Sequence, residues 1–290
     1  LCDNIFNPNG CDVYWNISGN VYFDQNNNCI KDANDTAVRN VNVKLSSGNT
    51  LLQQTFTGGE GFYSFDTDSF AVYSLSVDTS NIPFYVTCPA NNVLTDTISA
   101  TDSLSYSNDF AVECKPGFDL AAWSIYSSAF HPARFTNINI NAGDLSNFYG
   151  VHCAAGVSGA VTVSITGPAT YVSPALGALT PTVSGNTLTY NIADFGNVNF
   201  FNDFNFVLET DTTAALGSQV CISVSVTPTT GDNNPANNTL THCFTVTSSY
   251  DPNSKEVYPA ITTINSNNWL TYTINFKNTG TDTAHNIYVN

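Results

Sequence analysis

Basic residues are nearly missing from this chain: Lys and Arg number 7 against 23 Asp and Glu, for a net charge of −16. Recognition of phosphate needs a cationic surface, so nucleic acid is excluded as a partner. Methionine is absent, in keeping with an oxidising setting. No run of 18 apolar residues occurs, which excludes a membrane-spanning helix. No basic, apolar leader opens the chain, so it reads as a mature segment. HExxH, GxSxG and the glycine-rich phosphate and dinucleotide motifs are missing too. The four histidines, His131, His152, His242 and His285, are scattered. His152 and His242 each precede a cysteine, yet a Cys–His nucleophile needs a free thiol. The expectation is a protein without enzymatic activity.

Eight cysteines with no CxxC pair are present, an even number that suits disulfides and an extracellular or cell-surface location. Hydrophobic residues make up 42% of the 290, enough to build the cores of about two domains.

Alternation with period two recurs along the chain and helical periodicity is almost absent, so the fold class is all-β. Trp15, Ile17, Val21 and Phe23, then Val41, Val43 and Leu45, then Phe62 to Phe65, then Tyr73, Leu75 and Val77 mark strands of a first module spanning 1–115. Lys44, between inward Val43 and Leu45, is expected to face solvent. A second set, including Ile138 and Ile140, Val161 to Ile165, Leu188 to Ile192, Phe204 to Leu208, Val220 to Val226 and Leu240 to Val246, fills 116–249. Short strands separated by Gly, Pro, Asn and Ser turns describe tandem immunoglobulin-like β-sandwich modules. Residues 250–290 read as a linker, SSYDPNSKEVYP, and the first strands of a third, incomplete sandwich built on Leu270, Tyr272, Ile274 and Phe276. A sandwich needs about 100 residues, so the segment is expected to belong to a longer protein, or its strands to complete a sheet in another subunit.

The residues Asp24 to Asp35, DQNNNCIKDAND, place oxygen-bearing side chains at loop positions 1, 3, 5, 9 and 12: Asp24, Asn26, Asn28, Asp32 and Asp35. The Ile30 carbonyl falls at position 7. A hard cation such as Ca²⁺ takes six to eight oxygens, and this spacing presents them to one centre. The loop departs from the pattern at position 6, which is Cys29 rather than glycine, and at position 12, which is Asp rather than the longer Glu. The affinity expected is weak, with Kd on the order of 10⁻⁴ M. The competing reading is an Asn/Asp-rich turn without metal. A second acidic loop, GDNNPANN at 231–238, is weighed the same way: a cation site, or a hairpin turn that needs Asn and Asp regardless.

Cys221 and Cys243 lie on strands whose apolar residues occupy the opposite parity, and their pairing centres a hairpin on Asp232. That register predicts a cross-strand disulfide. Cys29 in the loop and Cys88 after a strand of the same module are the second choice, leaving Cys2, Cys11, Cys114 and Cys153, whose connectivity the spacing leaves open. Tyr14, Trp15, Trp123 and Trp269 are candidate sugar-stacking faces, weighed against the usual place of Trp in a sandwich core.

The run ISGNVYFDQNNNCIKDANDTAVRNVNVKL, followed by GGEGFYSF and VYSLSV, resembles the B-type repeat domain of serine-aspartate repeat adhesins. That resemblance implies a calcium-binding sandwich with Asp24, Asn26, Asn28, Asp32 and Asp35 as ligands. The stretches FDLAAWSIYSSAFHPARF, GDNNPANNTLTHC, SSYDPNSKEVYP and WLTYTINFKNTGTDTAHNIYV look like modules of Bacteroidota surface proteins exported by the type IX system. This second resemblance implies O-glycosylation at Asp-Ser/Thr motifs, here Thr36, Thr97, Ser103, Thr212 and Thr283. The expected function is a non-catalytic structural or adhesive stalk, stiffened by calcium and disulfides. Its partners would be other modules of the same chain and a surface glycan or protein receptor. The alternative is an accessory or glycan-binding part of a secreted hydrolase whose catalytic domain lies elsewhere.

Overall fold

The computed structural model describes residues 16–248, 254–258, 269–275, 277–278, 281 and 283. The first sandwich holds β1 (Ile17–Phe23), β2 (Thr36–Ala37), β3 (Asn42–Ser47), β4 (Thr50–Phe56), β5 (Phe62–Phe65), β6 (Ala71–Val77), β7 (Phe84–Cys88), β8 (Leu94–Ile98) and β9 (Phe110–Cys114). One sheet runs β2-β1-β9-β7 with β5 also on β1, and the other runs β4-β3-β6-β8. Val43, Leu45, Tyr73, Leu75 and Val77 alternate inward as a half-buried strand pattern requires. Lys44 points away from them and pairs with Asp78 at 2.6 Å.

The alternation read for β1 is only half right. Ile17 and Val21 are buried, but so are Ser18 and Tyr22, while Phe23 is half-buried. The reason is that β1 lies inside its sheet, antiparallel to β5 and parallel to β9, and residues near Asn108 close over Gly19. A Cβ on Gly19 would stand 2.0 Å from the Asn108 carbonyl oxygen, so only glycine admits that crossing.

The second sandwich holds β10 (Leu120–Ser127), β11 (Phe135–Asp144), β12 (Gly159–Thr166), β13 (Ala169–Pro174), β14 (Thr182–Ser184), β15 (Thr187–Ile192), β16 (Phe206–Thr210), β17 (Gln219–Thr227) and β18 (Thr239–Thr245). Its sheets run β10-β11-β16-β13 and β14-β15-β12-β17-β18. Ile138, Ile140, Phe206 and Leu208 from one sheet meet Val161, Val163, Tyr190, Ile222 and Val224 from the other.

The two sandwiches are not beads on a string. Ala121, Leu145, Tyr149, Val151 and Phe200 of the second are buried in the hydrophobic cluster of the first. On β10, Leu120 and Ala122 belong to the second core while Ala121 between them belongs to the first. That is the period-two geometry of a strand with a different core on each face.

The stretch expected to be a linker carries a strand. Residues Ser254–Tyr258 form β19, antiparallel to β20 (Thr271–Asn275), with Lys255 opposite Ile274 and Val257 opposite Tyr272. Pro252 and Pro259 bracket it in the sequence, and Lys255 and Val257, two residues apart, share one face of the strand. The side chains of β20 are exposed. Phe276, Tyr14, Trp15, Cys2, Cys11 and His285 lie outside the described residues.

A candidate cation loop and the seam beside it

In the loop that follows β1 the side-chain oxygens accept from the loop's own amides, and the carboxylates of Asp24, Asp32 and Asp35 do not gather within 4.8 Å of one another. Asp24 directly follows β1 and is 3% exposed, with Oδ1 accepting from the Asn28 amide at 3.3 Å and Oδ2 from the Cys29 amide at 2.8 Å. Asn26 Oδ1 accepts from Asn28 N, Asn28 Oδ1 from Ile30 N and Asp32 Oδ1 from Asn34 N, at 3.1, 2.8 and 2.8 Å. These are the i to i+2 turns that Asn and Asp make on their own backbone. Asp35 then closes the ring: Oδ1 takes the Gln25 amide at 3.1 Å and Oδ2 the Asp32 amide at 2.9 Å. Asn26 Nδ2 reaches Asp32 Oδ2 at 2.8 Å.

Three carboxylates therefore sit in one short loop with few cations to offset them. Burial pushes the Tyr22 phenol up to about 12, and the charges of Asp24, Asp109, Asp35 and Asp32 add to it. The Asn34 amide and the Asn26 side chain hold Asp32 below the usual carboxylate range. Asp24 also lies within 4.8 Å of the sulfurs of Cys29 and Cys88. Those sulfurs are bonded to each other and have no thiolate to give, so the donor set is hard oxygen, which fits Ca²⁺ and not a soft metal. Ile30 is exposed and would contribute through its carbonyl only.

Four residues beyond Asp35 the chain reaches the seam. The Arg39 backbone amide donates to the Tyr149 carbonyl at 3.0 Å. Its guanidinium donates to the carbonyls of Phe148 and Asn147, and Asn40 Nδ2 donates to Phe148 as well. The acceptors belong to the 3₁₀ turn Leu145–Tyr149, whose Asp144 caps it through the Ser146 amide. The Asn147 carbonyl already accepts from the Gly150 amide at 3.0 Å, and Arg39 adds a second donor there and one to Phe148. Phe84 meets Tyr149 edge to face at 5.6 Å. Cys114, the last residue of β9, is bonded to Cys153 of the second sandwich. Nothing in the sequence around Arg39 or Phe148 announces this contact, because the partners are about 108 residues apart.

The structure joins Cys221 to Cys243 as directly opposed residues of β17 and β18, and Cys29 to Cys88. No described cysteine is free. His152 and His242 are exposed, and the cysteines after them are both in disulfides. The 231–238 loop spends its acid internally: Asp232 Oδ2 accepts from Leu120 N and Asn238 Nδ2, both at 3.0 Å. Asn237 Nδ2 donates to Asp119 at 2.9 Å, so this loop clamps the start of β10.

Trp123 is exposed at 46% rather than core. It is the extra residue of a β-bulge, skipped where the β10–β11 register passes from Ala122 to Ser124, and bulges re-aim side chains. Its ring lies 5.6 Å from Phe148, which lies 6.3 Å from Phe201. Trp269 is exposed too. Of the Asp-Ser/Thr motifs, Thr97, Ser103, Thr212 and Thr283 are exposed and Thr36 is half-buried in β2.

Residues 15–114 match the family model of the SdrD B-like domain, and residues 251–290 match that of a domain of unknown function, DUF7619. No curated protein sequence matches the chain. Among solved structures, the major pilin subunit BcpA of Bacillus cereus is 9% identical over 81% of this chain and 71% of its own, at a TM-score of 0.32. The major pilin SpaD of Corynebacterium diphtheriae is 10% identical, covering 84% and 68%, at 0.27. A DUF3823 family protein from Parabacteroides merdae is 13% identical, covering 80% and 98%, at 0.27.

Proposed function

We propose that this segment is a non-catalytic structural or adhesive part of a surface protein, two sandwiches made into one stiff unit. The observation that carries the reading is the seam: a shared hydrophobic cluster, a disulfide and the Arg39 clasp all join the modules. Ca²⁺ in the loop 24–35 adds to the stiffness, because the segment leaving that loop runs through β2 to Arg39 at the seam. The match to an SdrD B-like domain supports an adhesin-type role. Export by the type IX system of a Bacteroidota organism belongs to the same reading and rests on the resemblance of the second module. O-glycans on exposed Thr97, Ser103 and Thr212 rest on motif and exposure.

Small-angle scattering of the 1–290 chain, with calcium and with chelator, tests the proposal. A single compact pair of modules with a narrow distance distribution supports it, and a hinged dumbbell in calcium would sink it. A second reading, a glycan-binding accessory module, is favoured by exposed Trp123 and Phe201, which flank the half-buried ring of Phe148. A glycan array with wild type and Trp123→Ala separates the two.

A further inference from the structure

Position 6 of a twelve-residue calcium loop turns so sharply that glycine is its ordinary occupant. Here that residue is Cys29, and its φ is 61°. The left-handed turn that position 6 calls for is present although the residue suited to it is not. A β-carbon in the left-handed region is unfavourable, and the turn matters for the site because the Cys29 amide is one of the two that orient the Asp24 carboxylate. Something must hold Cys29 there, and its side chain is bonded to Cys88 at the end of β7. Strand β7 is itself paired with β9 in the core sheet, so the anchor is rigid.

We infer that the Cys29–Cys88 disulfide stands in for the missing glycine: it holds position 6 in the left-handed turn, and the loop's affinity for divalent cation depends on whether that bridge is closed. The inference rests on the calcium reading given above. A dithiol reductant delivering two electrons and two protons would open the bridge to two thiols and itself become a disulfide. The freed Cys29 then relaxes toward negative φ, and the cation must supply the cost of ordering the loop that the bridge had already met. Cys29 is exposed and within reach of such a reductant. A cation site that forms fully only after oxidation would load outside the cell and not before export.

The test is calorimetric titration of Ca²⁺ into the oxidised 1–290 chain, into C29A/C88S and into C29G/C88S, with Tb³⁺ luminescence as an independent readout. The alanine variant should bind about tenfold more weakly than wild type, and the glycine variant should return to within about threefold, since glycine takes the left-handed turn without help. Wild-type affinity in C29A/C88S overturns the inference and leaves the calcium reading standing. Silence of the wild type in both readouts overturns the calcium reading and the inference with it. Should the alanine variant fail to fold, the glycine variant decides alone: within threefold of wild type supports the bridge as a substitute for glycine, and anything weaker overturns it.

Discussion

Arg39 of the first sandwich donates its Nε hydrogen to the carbonyl oxygen of Phe148 in the second at 3.1 Å, and its Nη2 to the neighbouring Asn147 carbonyl at 3.2 Å. A planar fork meets two diverging carbonyls in a way a lysine ammonium does not. Arg39→Ala should therefore cost about 2 kcal/mol, the range of a charge-assisted hydrogen bond lost from a partly buried site, and Arg39→Lys should recover only part of it. Urea denaturation gives the stability, and limited proteolysis within 145–153 reports the seam. An unchanged denaturation midpoint in Arg39→Ala would assign the seam to its apolar contacts and the Cys114–Cys153 bond.

Calcium should raise the stability of the first sandwich by mass action. At a hundredfold excess over Kd the gain is about 2.7 kcal/mol, seen as a higher melting temperature that chelator reverses. Asp24→Ala removes the buried carboxylate at position 1 and should abolish the response. Identical melting curves with calcium and with chelator would show that the loop is closed by its own amides alone.

The pH dependence of the second sandwich should carry the signature of Asp119. Burial pushes this carboxyl up to about 6, with Asp232 and Asp144 adding repulsion against the opposing hydrogen bond from Asn237. The folded state thus holds the proton more tightly than the unfolded chain, whose carboxyl titrates near its ordinary value of 3.8. The resulting stabilisation is complete below that ordinary value and is lost as pH rises through about 6. Stability should therefore increase on going from pH 7 to pH 5, and Asp119→Asn should flatten the increase. A slope unaltered in that variant would move the effect to Asp144, which burial also raises.

Non-reducing peptide mapping should recover Cys221 and Cys243 in one linked peptide. Their replacement by serine should cost about 3 kcal/mol, the chain-entropy estimate for a loop of roughly this size. Val220 and Ile222, which flank Cys221, are buried in the core, and the loss should appear as a lower guanidinium midpoint with a steeper slope, because the denatured chain freed of its crosslink exposes more surface. Free thiols at both positions in the native protein would remove the basis of this expectation.

What the amino-acid sequence determined by itself is whatever depends on near neighbours. Period-two alternation located Val43 to Leu45, Tyr73 to Val77 and Val161 to Ile165, because a strand's two faces are set residue by residue. The opposed positions of Cys221 and Cys243 follow from hairpin register, and the turns in which Asn26, Asn28 and Asp32 bond their own backbone two residues on follow from local composition. Tertiary structure alone decided the rest. Tyr22 is buried because β1 is covered on both faces, and Trp123 is exposed because a bulge turns it outward. The left-handed turn at Cys29 is tied to a bond 59 residues away. The seam joins Arg39 to carbonyls of a turn about 108 residues on. Backbone carbonyls carry no residue identity, so a contact made to them leaves no pattern in the chain, and only the folded arrangement of the two sandwiches brings them within reach.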